Sequence, residues 1–148
     1  MKHLNKALAW IAGLALAGSA WSQAHVATEA GFTLRANVVD SRELAEATAR
    51  EHGVAPKAGV AVLDVVVMRN DDGKAGLSMP AAVDATVSNL VGVRKSVPLR
   101  AVRRGDYVSY FGTYRHLPSE VVETTVTARP EGSARKLTLR FKDKLPAY

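Results

Sequence analysis

Residues 59–68 read Gly-Val-Ala-Val-Leu-Asp-Val-Val-Val-Met, a nearly continuous run of valine and leucine. Such a run is typical of a strand that is covered on both faces, because a strand with one face in water alternates apolar and polar residues. The run therefore predicts a central strand of a sheet. Asp64 is the only charged residue in it.

The apolar neighbours of Asp64 indicate that its carboxylate is partly buried. Burial of a charged carboxylate without a partner raises its pKa and costs several kcal/mol. Two interpretations remain open. In the structural one, Asp64 accepts hydrogen bonds from backbone N–H groups or a nearby arginine, or faces water at a strand end. In the functional one, Asp64 is the acid of a ligand pocket.

Segments on both sides of this run show the two-residue alternation of half-buried strands. They are residues 32–39, 83–88, 97–102, 107–114, 122–129 and 137–142. Pro98 indicates an edge strand, because proline cannot donate a hydrogen bond to a sheet ladder. Seven short strands, spaced about 8 to 15 residues apart and separated by proline or glycine, predict an all-β fold, an antiparallel sandwich.

One short helix is predicted after the first of these strands. Asp40 is a good N-cap with Glu43 three residues later, as in a capping box, and Gly53 suits the C-terminal cap. The helix is therefore predicted from Ser41 to His52, over one edge of a sheet. The residues expected on its inner face are Leu44, Ala45, Thr48, Ala49 and His52. Glu46 and Arg50 are expected to form an ion pair on its outer face.

The start of the chain predicts a cleaved signal peptide over residues 1–24. Two lysines precede an apolar run at 7–17, which is shorter than the ~20 residues needed to span a bilayer. The small residues of Ser-Gln-Ala at 22–24 suit signal peptidase, so the mature chain is expected to begin at His25. A lipid anchor would need a cysteine, which the sequence lacks. The expected product is periplasmic or secreted, with no membrane span or lipid anchor.

Residues 25–148 are predicted to form a single domain. Hydrophobic residues make up 47% of the chain and charged residues 23%, a composition that excludes disordered and collagen-like proteins. The absence of cysteine also excludes a small scaffold built on disulfides.

Nearly all of the predicted mature chain resembles a known family, most clearly from residue 105 onward. The segments that carry this resemblance are Gly105-Asp106, Tyr110-Phe111-Gly112-Thr113-Tyr114, Arg129-Pro130-Glu131-Gly132 and Leu137-Thr138-Leu139-Arg140-Phe141, with Asn37-Val38-Val39 and residues 89–92 earlier in the chain. Together they resemble the bacterial exported family called domain of unknown function 4426. The resemblance implies an exported, single-domain, immunoglobulin-like sandwich, and it carries no catalytic residues across. Asp64 departs from the pattern, since an asparagine is expected there.

The motifs of common enzyme classes are missing from the sequence. No Gly-x-Ser-x-Gly elbow or glycine-rich phosphate loop occurs, and the Asn-Asp-Asp-Gly cluster at 70–73 fits a hairpin turn better than a calcium loop. A hydrolytic enzyme would have Asp64, His116 and scattered acids to work with. The sequence therefore favours a non-enzymatic protein that needs no cofactor.

A metal-binding alternative follows from the predicted cleavage. A chain starting at His25 has its α-amino group and an imidazole on one residue, a nitrogen pair that suits Cu(II). A second imidazole from His52 or His116 would complete a three-nitrogen site. This alternative describes a periplasmic copper-binding protein.

The charge distribution bears on partners. The chain has 20 lysines and arginines against 14 acids. If the strands that carry Arg100, Arg140 and Lys142 are neighbours, a cationic face results that attracts anionic polymers. The predicted export argues against a nucleic-acid partner. So does the absence of aromatic residues among the basic positions. The leading hypothesis is an exported binding or structural module whose partner is an envelope protein or an anionic envelope polymer.

Overall fold

The computed structural model describes residues 24–71 and 74–148, which form ten strands, a 3-10 turn and a short α-helix. The strands are β1 His25–Glu29, β2 Phe32–Asp40, β3 Val60–Asp71, β4 Lys74–Ser78, β5 Ala81–Asn89, β6 Arg94–Val97, β7 Arg100–Arg104, β8 Tyr107–Arg115, β9 Val121–Pro130 and β10 Leu137–Lys144. The helix α1 spans Glu46–Glu51 and follows a 3-10 turn at Ser41–Glu43. Except for Ala24, the predicted signal peptide lies outside the described residues.

The strands form two antiparallel sheets. The six-stranded sheet has the order β1-β2-β3-β8-β7, with β4 also paired to β3, and the four-stranded sheet has the order β10-β9-β5-β6. One buried apolar cluster draws on both sheets, with Leu34, Leu63 and Val65 from the first and Val126 and Leu137 from the second. The predicted all-β antiparallel sandwich is confirmed.

The valine-rich run forms the middle of the six-stranded sheet, as predicted. Strand β3 pairs with β2 on one side and β8 on the other. Leu63, Val65 and Val67 point into the core between the sheets. The alternate positions Val62, Asp64 and Val66 therefore point to the opposite face, because successive side chains of a strand alternate. This opposite face is called the outer face below.

The strand count differs from the seven predicted. Strand β1 pairs with β2, so the residues after the predicted cut are part of the sheet, where the sequence pattern indicated a first strand only from Phe32. Strand β4 was also not predicted. The single strand expected at 97–102 is two strands, since the chain leaves the four-stranded sheet after β6, passes Pro98 and joins the six-stranded sheet as β7. Both are edge strands.

The predicted helix is shorter and interrupted. Asp40 accepts a hydrogen bond from the backbone N–H of Arg42 at 2.9 Å, and the Arg42 side chain returns to the same carboxylate, so this cap closes only a 3-10 turn. Leu44 and Ala45 are extended, with ψ of 136° and 140°, which separates the turn from α1. The end near Gly53, with φ of 66°, agrees with the prediction.

The predicted cationic face does not form. Arg100 lies on β7 of the six-stranded sheet, whereas Arg140 and Lys142 lie on β10 of the other sheet, so the strands are not neighbours. Arg140 and Lys142 both approach Glu123, at 4.0 and 3.8 Å. Within the described ranges, no helix is long and apolar enough to cross a membrane.

Candidate functional site

A row of side chains crosses the outer face of the six-stranded sheet. Asn37 on β2 lies opposite Asp64 on β3, and Asp64 lies opposite Phe111 on β8. Directly opposed residues of an antiparallel pair have Cβ atoms about 4.5 to 5.5 Å apart, so the three side chains are neighbours. The sequence separates them widely, and only the strand register brings them together.

The segment that contains α1 covers this row and leaves a partly open cavity beneath it. Leu44, Thr48 and His52 line the cavity from above, and its volume is about 290 Å³. The imidazole of His52 stacks on the ring of Phe111, with centroids 4.3 Å apart. Asp64 lies in the opposite wall, in the sheet. We call this space the Asp64 cavity.

The wall of the Asp64 cavity has unused hydrogen-bonding capacity. Asn37 Oδ1, His52 Nδ1 and Asp64 Oδ1 are buried and have no hydrogen-bond partner among the described residues. A buried polar group without a partner costs about 1 to 3 kcal/mol, so protein interiors rarely keep several of them together. Three such atoms in residues that line one small cavity are the feature expected of a binding site.

The electrostatics of the cavity centre on Asp64. Burial raises the pKa of the Asp64 carboxyl above its usual range, while His52, the Ser109 hydroxyl and Arg35 act in the opposite direction. Burial and the nearby Asp64 carboxylate raise the pKa of Tyr107, another lining residue. The carboxylate is thus held in an environment that disfavours its charge.

The edge of the cavity carries an ion pair. Arg104, at the end of β7, donates from Nε to Glu51 Oε1 at 2.8 Å, and Glu51 is the last residue of α1. This pair joins the covering helix to the edge of the sheet. Because both side chains are substantially exposed, the pair contributes little stability and mainly fixes the position of α1.

The three histidines that the sequence singled out lie in different surroundings. His25 on β1 stacks on Phe141 at 3.9 Å, and its Nε2 is 3.2 Å from Asp143 Oδ1. His52 lies over Phe111, in the Asp64 cavity. His116 is buried after β8, where its Nδ1 donates to the Leu117 carbonyl oxygen at 2.8 Å. In the part of the chain that the structure describes, no three histidine, cysteine, aspartate or glutamate residues group to hold a metal ion.

Sequence reasoning singled out Asp64 and His52 but not the strand residues that surround them. Asn37, Ser109 and Phe111 occupy ordinary positions of alternating strands, and nothing local distinguishes them from other outward-facing residues. The only signal for them in the sequence was the two-residue alternation of each strand. This alternation places all three residues on the face opposite the core, which is also the face of Asp64.

Three solved structures, which represent two proteins, share this fold at low identity. A DUF4426 family protein from Pseudomonas aeruginosa PAO1 superposes with a TM-score of 0.70 at 20% identity, covering 84% of this chain and 96% of that one. FetP from uropathogenic Escherichia coli strain F11 superposes with a TM-score of 0.59 at 14% identity, covering 86% and 97%. A copper-bound variant of FetP gives 0.60 at 13% identity, covering 86% and 93%.

The comparison with family models is decisive for classification. No curated protein matches the chain. The model of the domain of unknown function DUF4426 matches residues 28–146, which include every strand except the start of β1. The Pseudomonas structure is described as a protein of the same family. The chain therefore belongs to the DUF4426 family.

Proposed function

We propose that the protein is an exported, non-enzymatic binding module whose site is the Asp64 cavity and whose ligand is a small molecule with a primary ammonium group. The observation that carries the proposal is the group of three unpartnered polar atoms in the cavity wall, at Asn37, His52 and Asp64. The volume of about 290 Å³ is near the lower end of ligand pockets, which suits a compact ligand.

The chemistry of the wall favours an ammonium. A bound cation would stabilise the Asp64 carboxylate, whose charge burial now disfavours. The ammonium supplies three N–H donors, and Asn37 Oδ1 and Asp64 Oδ1 are oxygen acceptors without a donor. Tyr107 adds an aromatic ring to the lining, and the faces of aromatic rings attract cations.

Binding is favoured over hydrolysis by the arrangement of the polar groups. Ser109, His52 and Asp64 all line the cavity, but a nucleophilic serine needs a hydrogen bond to an imidazole that acts as its base. Within the described residues, the Ser109 hydroxyl interacts with the Asp64 carboxylate and helps to lower its pKa. No hydrogen bond joins this hydroxyl to His52. His116, the other histidine considered for hydrolysis, is not among the residues that line this cavity.

A titration with matched ligands tests the proposal. We expect butylammonium to shift the backbone amide NMR signals of residues around the cavity in a saturable way, while butanol and butyrate bind at least about tenfold more weakly. Asp64→Asn, which keeps the side-chain volume, should abolish the preference for the amine. Asp84→Asn is the matched control, because Asp84 is exposed on β5. Equal binding of the three ligands, or shifts confined to other surfaces, would refute the proposal.

Copper is the second candidate ligand, and the copper-bound FetP neighbour supports it. Strand β1 fixes His25, and Asp143 approaches its Nε2, which leaves Nδ1 for a chelate with the terminal amine of a cleaved chain. Among the described residues, no further histidine, aspartate or glutamate joins His25 and Asp143. These two residues therefore suit a copper ion less well than the Asp64 cavity suits an ammonium group. The test is a Cu(II) titration of the cleaved protein, of a version with one extra residue before His25, and of the His52→Ala and His116→Ala variants. Equal copper affinity in all four proteins would rule out this candidate.

A further inference from the structure

A second cavity, of about 440 Å³, opens at one end of the sandwich. It lies where β3 begins and where β5 and β8 end, so it enters the molecule between the two sheets. Val87, Tyr114 and Val122 line it and belong to the buried core cluster. The floor of this end cavity is therefore apolar. It shares no lining residue with the Asp64 cavity.

Exposed apolar side chains surround the mouth of the end cavity. Val93, Leu117 and Tyr148 line the cavity while more than half exposed, at 51%, 65% and 55%. Leu90 and Val91, in the turn between β5 and β6 beside them, are 75% and 83% exposed. These are five of the eight large apolar side chains that are exposed in the described residues. Apolar groups concentrated around a pocket mark an interaction site, whereas scattered ones do not.

The same mouth is basic. Lys57, Lys95 and Arg115 line the cavity with exposed side chains, and Glu120 is the one acid among the lining residues. Glu120 Oε2 already accepts a hydrogen bond from the backbone N–H of Leu117 at 2.8 Å. None of the three cations takes part in an ion pair with another described residue. Their charge is therefore available to a ligand.

Two polar side chains inside the end cavity have unused hydrogen-bonding capacity. His116 Nε2 is buried without a partner in the described structure, and the Tyr114 hydroxyl meets only the Thr124 hydroxyl; both residues line the cavity. Tyr148 closes over this region, since its hydroxyl donates to the His116 carbonyl oxygen at 3.1 Å. The cavity thus has an apolar floor, a few unused polar groups and a basic, partly apolar mouth.

We infer that the end cavity binds a single-chain anionic amphiphile, with its alkyl chain on the valine floor and its anionic head among Lys57, Lys95 and Arg115. An apolar floor matches the chain, and three unpaired cations match the head by charge. A purely polar anion would leave the floor and the exposed apolar rim unused. A neutral hydrocarbon would leave the cations unused. The inference is independent of the function proposed for the Asp64 cavity.

The test compares three probes of the same chain length on the purified protein: decanoate and decyltrimethylammonium below their micellar concentrations, and decanol below its solubility limit. Decanoate should bind at least about tenfold more tightly than the other two, with amide NMR shifts at residues of the end cavity. Lys57→Glu combined with Lys95→Glu should lower decanoate affinity at least about tenfold. Arg103→Glu combined with Lys136→Glu makes the same change in net charge at exposed positions outside the cavity, and should leave affinity within about twofold.

Two further variants separate the cavity from a membrane surface. Leu90→Ser with Val91→Ser removes apolar groups that border the mouth but do not line the cavity, and it should lower decanoate affinity by less than about threefold. Thermal melting checks that each variant is folded. Equal affinity for the anionic and cationic probes would overturn the inference. So would shifts away from the cavity, or binding only to anionic phospholipid vesicles that the Leu90 and Val91 variant abolishes.

Discussion

Asp64 illustrates how one residue can oppose stability in a site that we propose binds a ligand. Its carboxylate lies among valines in a central strand that has buried residues on both faces, and Asp64 Oδ1 has no partner in the described structure. Natural proteins keep such an energetic cost where function requires it. The sequence already marked Asp64, because a charge inside an apolar run is visible without a structure. The neighbours of that charge were not visible, since Asn37 and Phe111 lie beside it only through strand register.

The ionisation of Asp64 should make stability depend on pH. Burial raises the pKa of this carboxyl in the folded state above its ordinary value of 3.8. The folded state therefore holds the proton more tightly than the unfolded chain. The resulting stabilisation is complete below the unfolded-state pKa and is lost as the pH rises through the folded-state pKa.

We therefore expect Asp64→Asn to gain stability relative to the wild type as the pH rises from about 4 to about 7, because asparagine does not titrate there. Urea unfolding at several pH values measures this. Asp84→Asn, at an exposed position, should stay within about 0.5 kcal/mol of the wild type throughout. A wild type that is more stable than Asp64→Asn at neutral pH would show that the carboxylate is well paired.

At the scale of elements, the sequence predicted strands well where the pattern was strong and failed where tertiary contacts decide. Residues 59–68 predicted β3 through composition alone. Strand β1 has only five residues, three of them exposed, so no period can be recognised in it. Residues 97–102 keep one alternating pattern throughout, and alternation does not say to which sheet a strand belongs. Only packing reveals that the chain changes sheets at Pro98.

The change of sheet depends on a close approach at Gly112. A Cβ atom there would lie 2.5 Å from the Pro98 carbonyl oxygen and 2.9 Å from Leu99 Cδ2. Gly112→Ala should therefore destabilise the domain by about 3 kcal/mol, because the backbone at Pro98 has to move.

Gly31→Ala is the control for this substitution. Gly31 has a φ of 81°, and a Cβ atom added there would meet open space. The alanine substitution should therefore cost about 1 to 2 kcal/mol, through backbone strain alone. Chemical denaturation of both variants gives the comparison. A Gly112 variant that loses no more stability than the Gly31 variant would show that the crossing is loosely packed.

At the scale of the whole molecule, the sandwich and its family could be recognised from the sequence, and the two cavities could not. A sandwich follows from the number and spacing of strands, whereas a cavity depends on which outward-facing residues the register and the short helix bring together. The end cavity combines the ends of β5 and β8 with Tyr148 near the terminus. No local pattern relates these segments.

The predicted processing of the chain can be checked on the whole protein. Strand β1 begins at His25, the residue that follows the predicted cut, so cleavage after Ala24 leaves the strand complete. The intact mass of protein recovered from the periplasm or medium should correspond to residues 25–148. Retention of Trp21 in that species would contradict the prediction.

The order of strands in the six-stranded sheet also constrains the order in which the sheet can fold. A chain that emerges N-terminus first can form the β1-β2-β3 meander early, because these neighbours are joined in sequence. Strand β8 must wait until β4 to β7 have also emerged. Until then, the β3 edge that later pairs with β8 is open, and Phe111 has not yet reached Asp64. The Asp64 cavity is therefore completed late, and a ligand that binds there would meet a nearly finished fold.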